Sequence, residues 1–432
     1  MKIAYIAAGA AGMYCGSCLH DNTLAAAMQR RGHDVALIPT YTPIRTDEDD
    51  VSIDQVFYGA INVYLEQKSS LFRHTPWLFD KLLGSPALLD WVGRRGASTD
   101  ARDLGALTLS VAMGEEGNQA KELEKLVTWL RDEYRPDLVH LTNSMFVGLA
   151  RRIRRELAVP VVCSVQGEDL FLEGLAEPYA SRVVAAITER TRDIDAFVAP
   201  SRYYARHMER YLGDVSGKMH VVPLGLKLDG HGEPAPAAHR PFIVGYLARI
   251  CPEKGLHLLV DAFRRLADRA GRDQVRLRIA GWMGERDRGY LEGIQEQIRD
   301  WGLDGIVDVL GEVDRERKIE FLQVSHVLSV PTVYQEPKGL FALEAMANGI
   351  PVVLPRHGSF PEMLDATGGG LLFEPGSVEG LADALFRLME NAGEREALGR
   401  AGRQAVWRDY GEDVMAERTL QLYEAVAGAV RT

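Results

Sequence analysis

Short apolar runs alternate with amphipathic stretches along most of this chain. Residues 2–8 form the first run. Gly9, Gly12 and Gly16 follow, and the spacing of apolar positions then predicts a helix over about 22–31, closed by Gly32-His33. The next apolar run covers 34–41. Strand, helix and strand in that order predict a parallel sheet covered by helices. Runs at 138–142, 159–165 and 196–200 fit the same sheet.

Residues 223–241, PLGLKLDGHGEPAPAAHRP, are rich in Pro, Gly and Ala without a period, and read as a linker. The pattern then restarts. Strands are read at 242–249 and 275–280 and further strand positions at 307–310, 327–330 and 350–354, with helical composition over 255–267 and 340–348. The expected architecture is α/β: two doubly wound, Rossmann-like domains facing across a cleft. The first spans 1–225, a linker 226–241, and the second 242–405. A helical segment over 406–432 is expected to pack back on the first domain. Residues 45–120 break the rhythm. VFYGAINVYLEQ reads as one or two strands and HTPWLFDKLLGSPALLDWV as amphipathic helical pieces, so an elaboration packed on the first domain is expected. In open α/β sheets, ligands sit at the carboxyl ends of the strands.

A length of 432 residues agrees with two domains. With 61 acidic and 50 basic residues the net charge is −11, which argues against a nucleic-acid partner. Basic clusters at Arg30-Arg31, at Arg94-Arg95 and at Arg151, Arg152, Arg154 and Arg155 read as solvated helix faces. An anionic membrane surface is the alternative they leave open, and nothing else along the chain points to it. Four cysteines make no disulfide framework. The opening MKIAYIAAGAAG reads as a buried strand rather than a signal peptide, and no apolar run is long enough to span a bilayer. A cytoplasmic chain is expected. Nothing in the sequence sets its oligomeric state.

Candidate chemistry concentrates in YQEPKGLFALEAMANGIPVV, residues 334–353. Pro337 disfavours the helical state for Glu336, Gly339 permits a tight turn, and Asn348-Gly349 stops the helix that follows. Glu344 therefore lies within that helix. Eight residues on one helix span roughly 12 Å, too far for two carboxylates to share a proton. The pair suits two separate groups of one extended ligand. Between them the amides from Lys338 through Gly339 and Leu340 to Phe341 open the helix, an anion site by geometry and dipole. Arg249 ends the strand at 242–249 and Lys254 stands at the next helix start. Two cations at a strand's carboxyl end would neutralise a diphosphate.

These residues carry a resemblance. The second half is similar to the nucleotide-sugar-binding domain of the retaining glycosyltransferases of family 4, which have the GT-B fold. The family's Glu, seven residues, Glu-Ala-Met-Ala and Gly-x-Pro-Val appear as Glu336, Glu344-Ala345-Met346-Ala347 and Gly349-Ile350-Pro351-Val352. Its G-R-L-x-x-x-K-G resembles Gly245 through Arg249 to Lys254-Gly255, and its hinge resembles VVPLGLKLD, with Leu224 in place of Asn. The resemblance implies a nucleotide-diphosphate sugar as donor and transfer with retention to a sugar or glycoconjugate acceptor, with no cofactor. It implies that Arg249 and Lys254 hold the diphosphate and that Glu336 contacts the transferred sugar. Lys338, Gly339, Leu340 and Phe341 would supply amides, Glu344 would bind the ribose, and the loop carrying Val313 would face the base. In the first half, Gly16 resembles one of the family's glycines, His20 a polar position facing the cleft, and Gln166 replaces a sugar-contacting histidine. VFYGAINVYLEQ resembles the glycogen and starch synthase branch, which places glucose first among the sugars. His140, on an apolar strand, reads as a core histidine.

Cys15-x-x-Cys18 reads as small residues in a tight loop rather than a redox pair or zinc site. Asp47-Glu48-Asp49 and Asp193-Ile194-Asp195 match an acidic pattern that other transferase folds use for a metal; their loop settings argue against it. A nicotinamide dehydrogenase would need G-x-G-x-x-G after the first strand and an acid ending the second. The chain has Gly9-Ala10-Ala11-Gly12 and Thr40-Tyr41. A sugar-nucleotide epimerase, a glycan phosphorylase or a non-catalytic sugar-binding scaffold of the same architecture stays open.

Overall fold

The computed structural model describes residues 1–9, 16–57, 101–232 and 241–431. Contacts divide the chain into two units, Met1–Gly225 with Glu412–Thr432, and Leu226–Gly411. Gly12, Cys15, Arg94-Arg95, most of the expected elaboration and half of the expected linker lie outside the described residues.

Unit 1 is built on β1 (Lys2–Ala7), β2 (Asp34–Pro39), β3 (Leu138–Leu141), β4 (Val161–Ser164), β5 (Ala196–Ala199) and β6 (Met219–Val221). They pair in parallel in the order β2-β1-β3-β4-β5-β6. The first five are almost wholly buried, which is why they read as unbroken apolar runs. The first helix is Gly16–Arg30, so it starts well before the expected residue 22. Its opening turns look polar because His20, Asp21, Asn22 and Thr23 are buried there rather than solvated. Gly16 is its first residue and Cys18 lies in it, not in a loop.

The helix Glu412–Arg431 packs on Gly16–Arg30. Arg30 meets Glu412 at 3.3 Å and Arg31 meets Glu417 at 3.5 Å. The arginines of 151–155 are likewise met by acids from neighbouring elements: Arg151 by Asp193 at 3.2 Å, Arg154 by Asp195, Arg152 by Glu124, and Arg155 by Glu115 at 2.7 Å. The described basic clusters are therefore laced with acids, and Asp193 and Asp195 engage arginines.

Unit 2 carries β7 (Phe242–Leu247), β8 (Val275–Ala280), β9 (Val307–Gly311), β10 (Val327–Leu328), β11 (Val352–Pro355) and β12 (Gly370–Phe373). Their order is β12-β11-β10-β7-β8-β9, all parallel. Read from the other edge this is the Rossmann order 3-2-1-4-5-6, whose direction of winding reverses between its first and fourth strands. Here that point falls between β7 and β10. In unit 1 it falls between β1 and β3. Among the described residues no helix is long and apolar enough to cross a membrane.

Candidate active site

The loops leaving β7 and β10 are joined backbone to backbone. Val333 N donates to Glu253 O at 2.8 Å. Gly255 has φ +71°, and a Cβ there would lie 1.9 Å from Pro331 O. Only glycine lets the chain pass so close in that conformation. The approach delivers Lys254 beside Glu336. Lys254 Nζ stands 2.5 Å from Glu336 Oε2 and 3.0 Å from the Tyr334 hydroxyl, over the rings of Tyr334 and Phe341. The Tyr334 hydroxyl also donates to Glu336 Oε2 at 2.5 Å.

Glu336 is 4% exposed, not solvated. Its other oxygen accepts from the amides of Lys338 and Gly339, each at 3.3 Å. The amides that open the helix Leu340–Ala347 are thus covered at this end by the protein's own carboxylate. The segment after β11 fixes the backbone: Ser359 N donates to Glu336 O at 2.8 Å. Burial would raise the Glu336 carboxyl, but the Lys254 charge and hydrogen bonds from Lys254, Tyr334 and Gly339 outweigh it and hold the group below the usual carboxylate range.

One turn further on, Glu344 Oε1 lies 2.6 Å from Lys318 Nζ, both side chains close to buried. Lys318 belongs to the helix Arg315–Gln323, which follows β9 and is capped by Asp314. Val313, just before that cap, packs partly buried against the core of unit 2. Arg249 stays with its own loop. Its Nε donates to Cys251 Sγ at 3.3 Å and its guanidinium lies 4.0 Å from Glu253. It does not bond to Lys254 or Glu336. The structure therefore groups Lys254, Glu336, Lys338, Gly339 and Phe341, keeps Leu340 and Glu344 on the same helix, and leaves Arg249 and Val313 on neighbouring loops.

In unit 1 the residues at the winding reversal form a different assembly. Asp21 is buried and accepts from four side chains: Tyr5 at 2.8 Å, His20 Nδ1 at 3.1 Å, Thr142 at 2.5 Å and Gln166 Nε2 at 2.7 Å. Among the described residues no lysine or arginine takes part. Burial would raise the Asp21 carboxyl; hydrogen bonds and charge from His20, with hydrogen bonds from Thr142 and Gln166, hold it low instead. The Gln166 amide also donates to Thr142 O at 3.0 Å, so its donors are engaged inside the protein. Ser17, one residue after Gly16, donates to Gln166 O at 3.5 Å. Glu168 accepts from Ser144 N, Ser144 Oγ and Gln166 N at 3.0, 2.7 and 2.6 Å. His140 is fully buried between Tyr423 and Ser164, stacked on Tyr5, and burial lowers its pKa to about 3.

Sequence reasoning singled out Glu336 and Lys254 but not Tyr334 or Lys318, and His20 and Gln166 but not Asp21. The only signal for these three was adjacency to a candidate or a place in the first turns of a helix. Among the described residues no group of three or more His, Cys, Asp or Glu could hold a metal ion.

Two parallel six-stranded sheets place the chain beside HepE of Anabaena, solved with UDP-glucose (TM-score 0.66, 17% identity, 98% of this chain and 100% of that one). At that identity the likeness speaks to fold. Residues 22–225 match the family described as glycosyl transferase 4-like domain, and residues 233–405 the family of glycosyl transferases group 1. The chain is a glycosyltransferase of the GT-B fold. This glycosyltransferase is 27% identical over 300 residues to D-inositol 3-phosphate glycosyltransferase of Kribbella flavida, covering 66% of this chain and 69% of that one. It is also 27% identical over 415 residues to glycogen synthase of Mycobacterium tuberculosis, covering 94% and 90%. The Lys254–Glu336 group of the glycosyltransferase lies within the group 1 match, and the Asp21 network reaches from just before the 4-like match to Gln166 inside it.

Proposed function

We propose that this glycosyltransferase moves a hexosyl group, glucose before others, from a nucleotide-diphosphate sugar to a carbohydrate or phosphosugar acceptor, in the cytoplasm and with retention of anomeric configuration. The observation that carries this is the Lys254–Glu336 pair at the mouth of the helix Leu340–Ala347, where the winding of the Rossmann sheet reverses.

In this reading Lys254 and Arg249 balance the charge that develops on the departing diphosphate, the main electrostatic contribution to rate. Glu336 exchanges Lys254 and the helix amides for hydroxyls of the transferred sugar. The amides from Lys338 to Phe341, so released, take phosphate and sugar oxygens. Glu344 accepts from the ribose and the loop with Val313 meets the base. In unit 1, Gly16 and His20 serve substrate binding, while Gln166 acts by fixing Asp21 and Thr142. The UDP-glucose bound by HepE and the name of the mycobacterial glycogen synthase support a glucosyl donor. The inositol phosphate in the name of the Kribbella enzyme supports a phosphorylated acceptor.

The test is a thermal-shift panel of UDP-glucose, ADP-glucose and GDP-mannose, followed by product detection with inositol phosphate, hexose phosphates and maltooligosaccharides, and proton NMR of the new linkage. At least one nucleotide sugar should raise the melting temperature and yield an axial glucosidic product. Stabilisation by NAD(H) alone overturns the reading. Isomerised donor favours an epimerase, and an inverted product removes retention.

A further inference from the structure

Lys318 and Glu344 form an ion pair of 2.6 Å with both side chains close to buried. Burying two charges costs several kcal/mol per ion before their attraction is counted, and two packed apolar side chains would serve stability as well or better. A pair retained at such cost calls for a use of the charged carboxylate. The surroundings of the pair show what else it holds. Lys318 lies one turn into the helix Arg315–Gln323, directly after the loop of Gly311, Glu312 and Val313. The start of that helix is anchored by Asp314, which accepts from Arg317 N at 2.9 Å, and by Arg315, which donates to Lys227 O and Asp229 O at 2.8 and 2.6 Å. Its far end meets the end of the other helix through Gln323 and Asn348 at 3.4 Å. Asn348 in turn donates to Glu344 O at 2.9 Å. The two helices are thus tied twice, by charge in the middle and by amides at the end.

We infer that Lys318 is a positioning residue for nucleoside recognition: it holds the Glu344 side chain in place and in register with the 311–313 loop, so that ribose and base are read as one unit. This rests on the reading of Glu344 as the ribose acceptor. A carboxylate accepts two hydroxyl bonds of the charge-assisted kind, and a neutral acid does so more weakly. Lys318 need not touch the ligand to matter.

The experiment compares ligands with and without a nucleoside. Wild type, Lys318→Met, Lys318→Arg and Glu344→Gln are titrated calorimetrically with UDP, ADP, GDP and inorganic pyrophosphate. In the wild type the preferred nucleotide binds more tightly than pyrophosphate. Lys318→Met is expected to shrink that preference by roughly tenfold, the size of one lost hydrogen bond to a charged group, with pyrophosphate affinity within about twofold of wild type. Glu344→Gln should shrink it similarly, and Lys318→Arg should restore most of it. A loss that affects pyrophosphate and nucleotide equally makes Lys318 merely structural and overturns the inference. So does an unchanged preference in Lys318→Met when Glu344→Gln reduces it, and the ribose reading then survives. An unchanged preference in Glu344→Gln, or no nucleotide bound above pyrophosphate, removes the ribose reading itself. Should Lys318→Met fold poorly, Lys318→Arg and Glu344→Gln supply the ratio.

Discussion

The two units bury their acids in opposite ways. In unit 2 each buried glutamate of the candidate site faces a lysine, Glu336 with Lys254 and Glu344 with Lys318. In unit 1 Asp21 and Glu168 are held by hydroxyls, amides and one imidazole, with no lysine or arginine among the described residues bonded to either. Cations near a carboxylate make an environment suited to a ligand of high negative charge, since the lysine can change partners. A frame of hydroxyl, amide and imidazole donors is suited to fixing side chains against a neutral or weakly charged molecule. The division of labour proposed between donor and acceptor would thus have an electrostatic counterpart.

The sharpest way to break this comparison is to remove a lysine. Lys254→Met should reduce transfer by about 10²-fold or more, by loss of a preorganised cation at the leaving group, measured as product formed at saturating donor. The same change strands Glu336 and should cost about 3 kcal/mol in denaturant unfolding. Activity near wild type would detach Lys254 from the chemistry. Gly255→Ala comes next. Its Cβ would meet Pro331 O at 1.9 Å in a left-handed backbone, so the stitched loops must part. The strain of that backbone alone is about 1–2 kcal/mol, and the midpoint in urea should fall with donor affinity.

Acid titration separates the buried histidine from the buried carboxylates by onset, with stability falling toward acid in both cases. His140 is held neutral in the fold, with its pKa lowered to about 3. The unfolded chain therefore takes up a proton below about pH 6.5 that the folded chain refuses. Stability from this group is complete above that pH and declines by about 1.4 kcal/mol per unit as pH falls toward 3. His140→Gln should flatten the slope of stability between pH 6.5 and 4.5 relative to wild type. Asp21 and Glu336 are held low, so their contributions are present above about pH 4.5 and vanish only as the medium becomes more acid.

The smallest effect is expected from Asp21→Asn. Three of its donors converge on one oxygen, which Asn retains, and only the Thr142 hydroxyl on the other must turn from donor to acceptor. A cost of about 1 kcal/mol follows, well below that of Lys254→Met. A larger loss in chemical denaturation would show that the frame of unit 1 needs charge after all.

The sheets were legible because buried parallel strands are apolar on both faces, so β1 and β7 stand out as runs. The Lys254–Gly255 and Glu336–Glu344 stretches were legible through their resemblance and turn chemistry. The helix start at Gly16 was not. Periodicity assumes polar residues face water, and here Asp21 and Asn22 face the interior. Asp21 finds Gln166 145 residues away, and Lys318 finds Glu344 26 residues away. Such pairings are decided by strand order, which local patterns do not encode. The arginine cluster of 151–155 invited a surface reading for the same reason: its acids come from other elements.

The carboxylate seated over the helix mouth acts as a built-in occupant. A stray sulfate reaching these amides must first unseat Glu336 and brings no hydrogen-bond donor to offer it in return. A molecule bearing alcohol groups next to its phosphates gives the displaced acid somewhere to go. On the proposed reading, amides covered in this way turn away ions that carry no donor while remaining open to a sugar-bearing diphosphate.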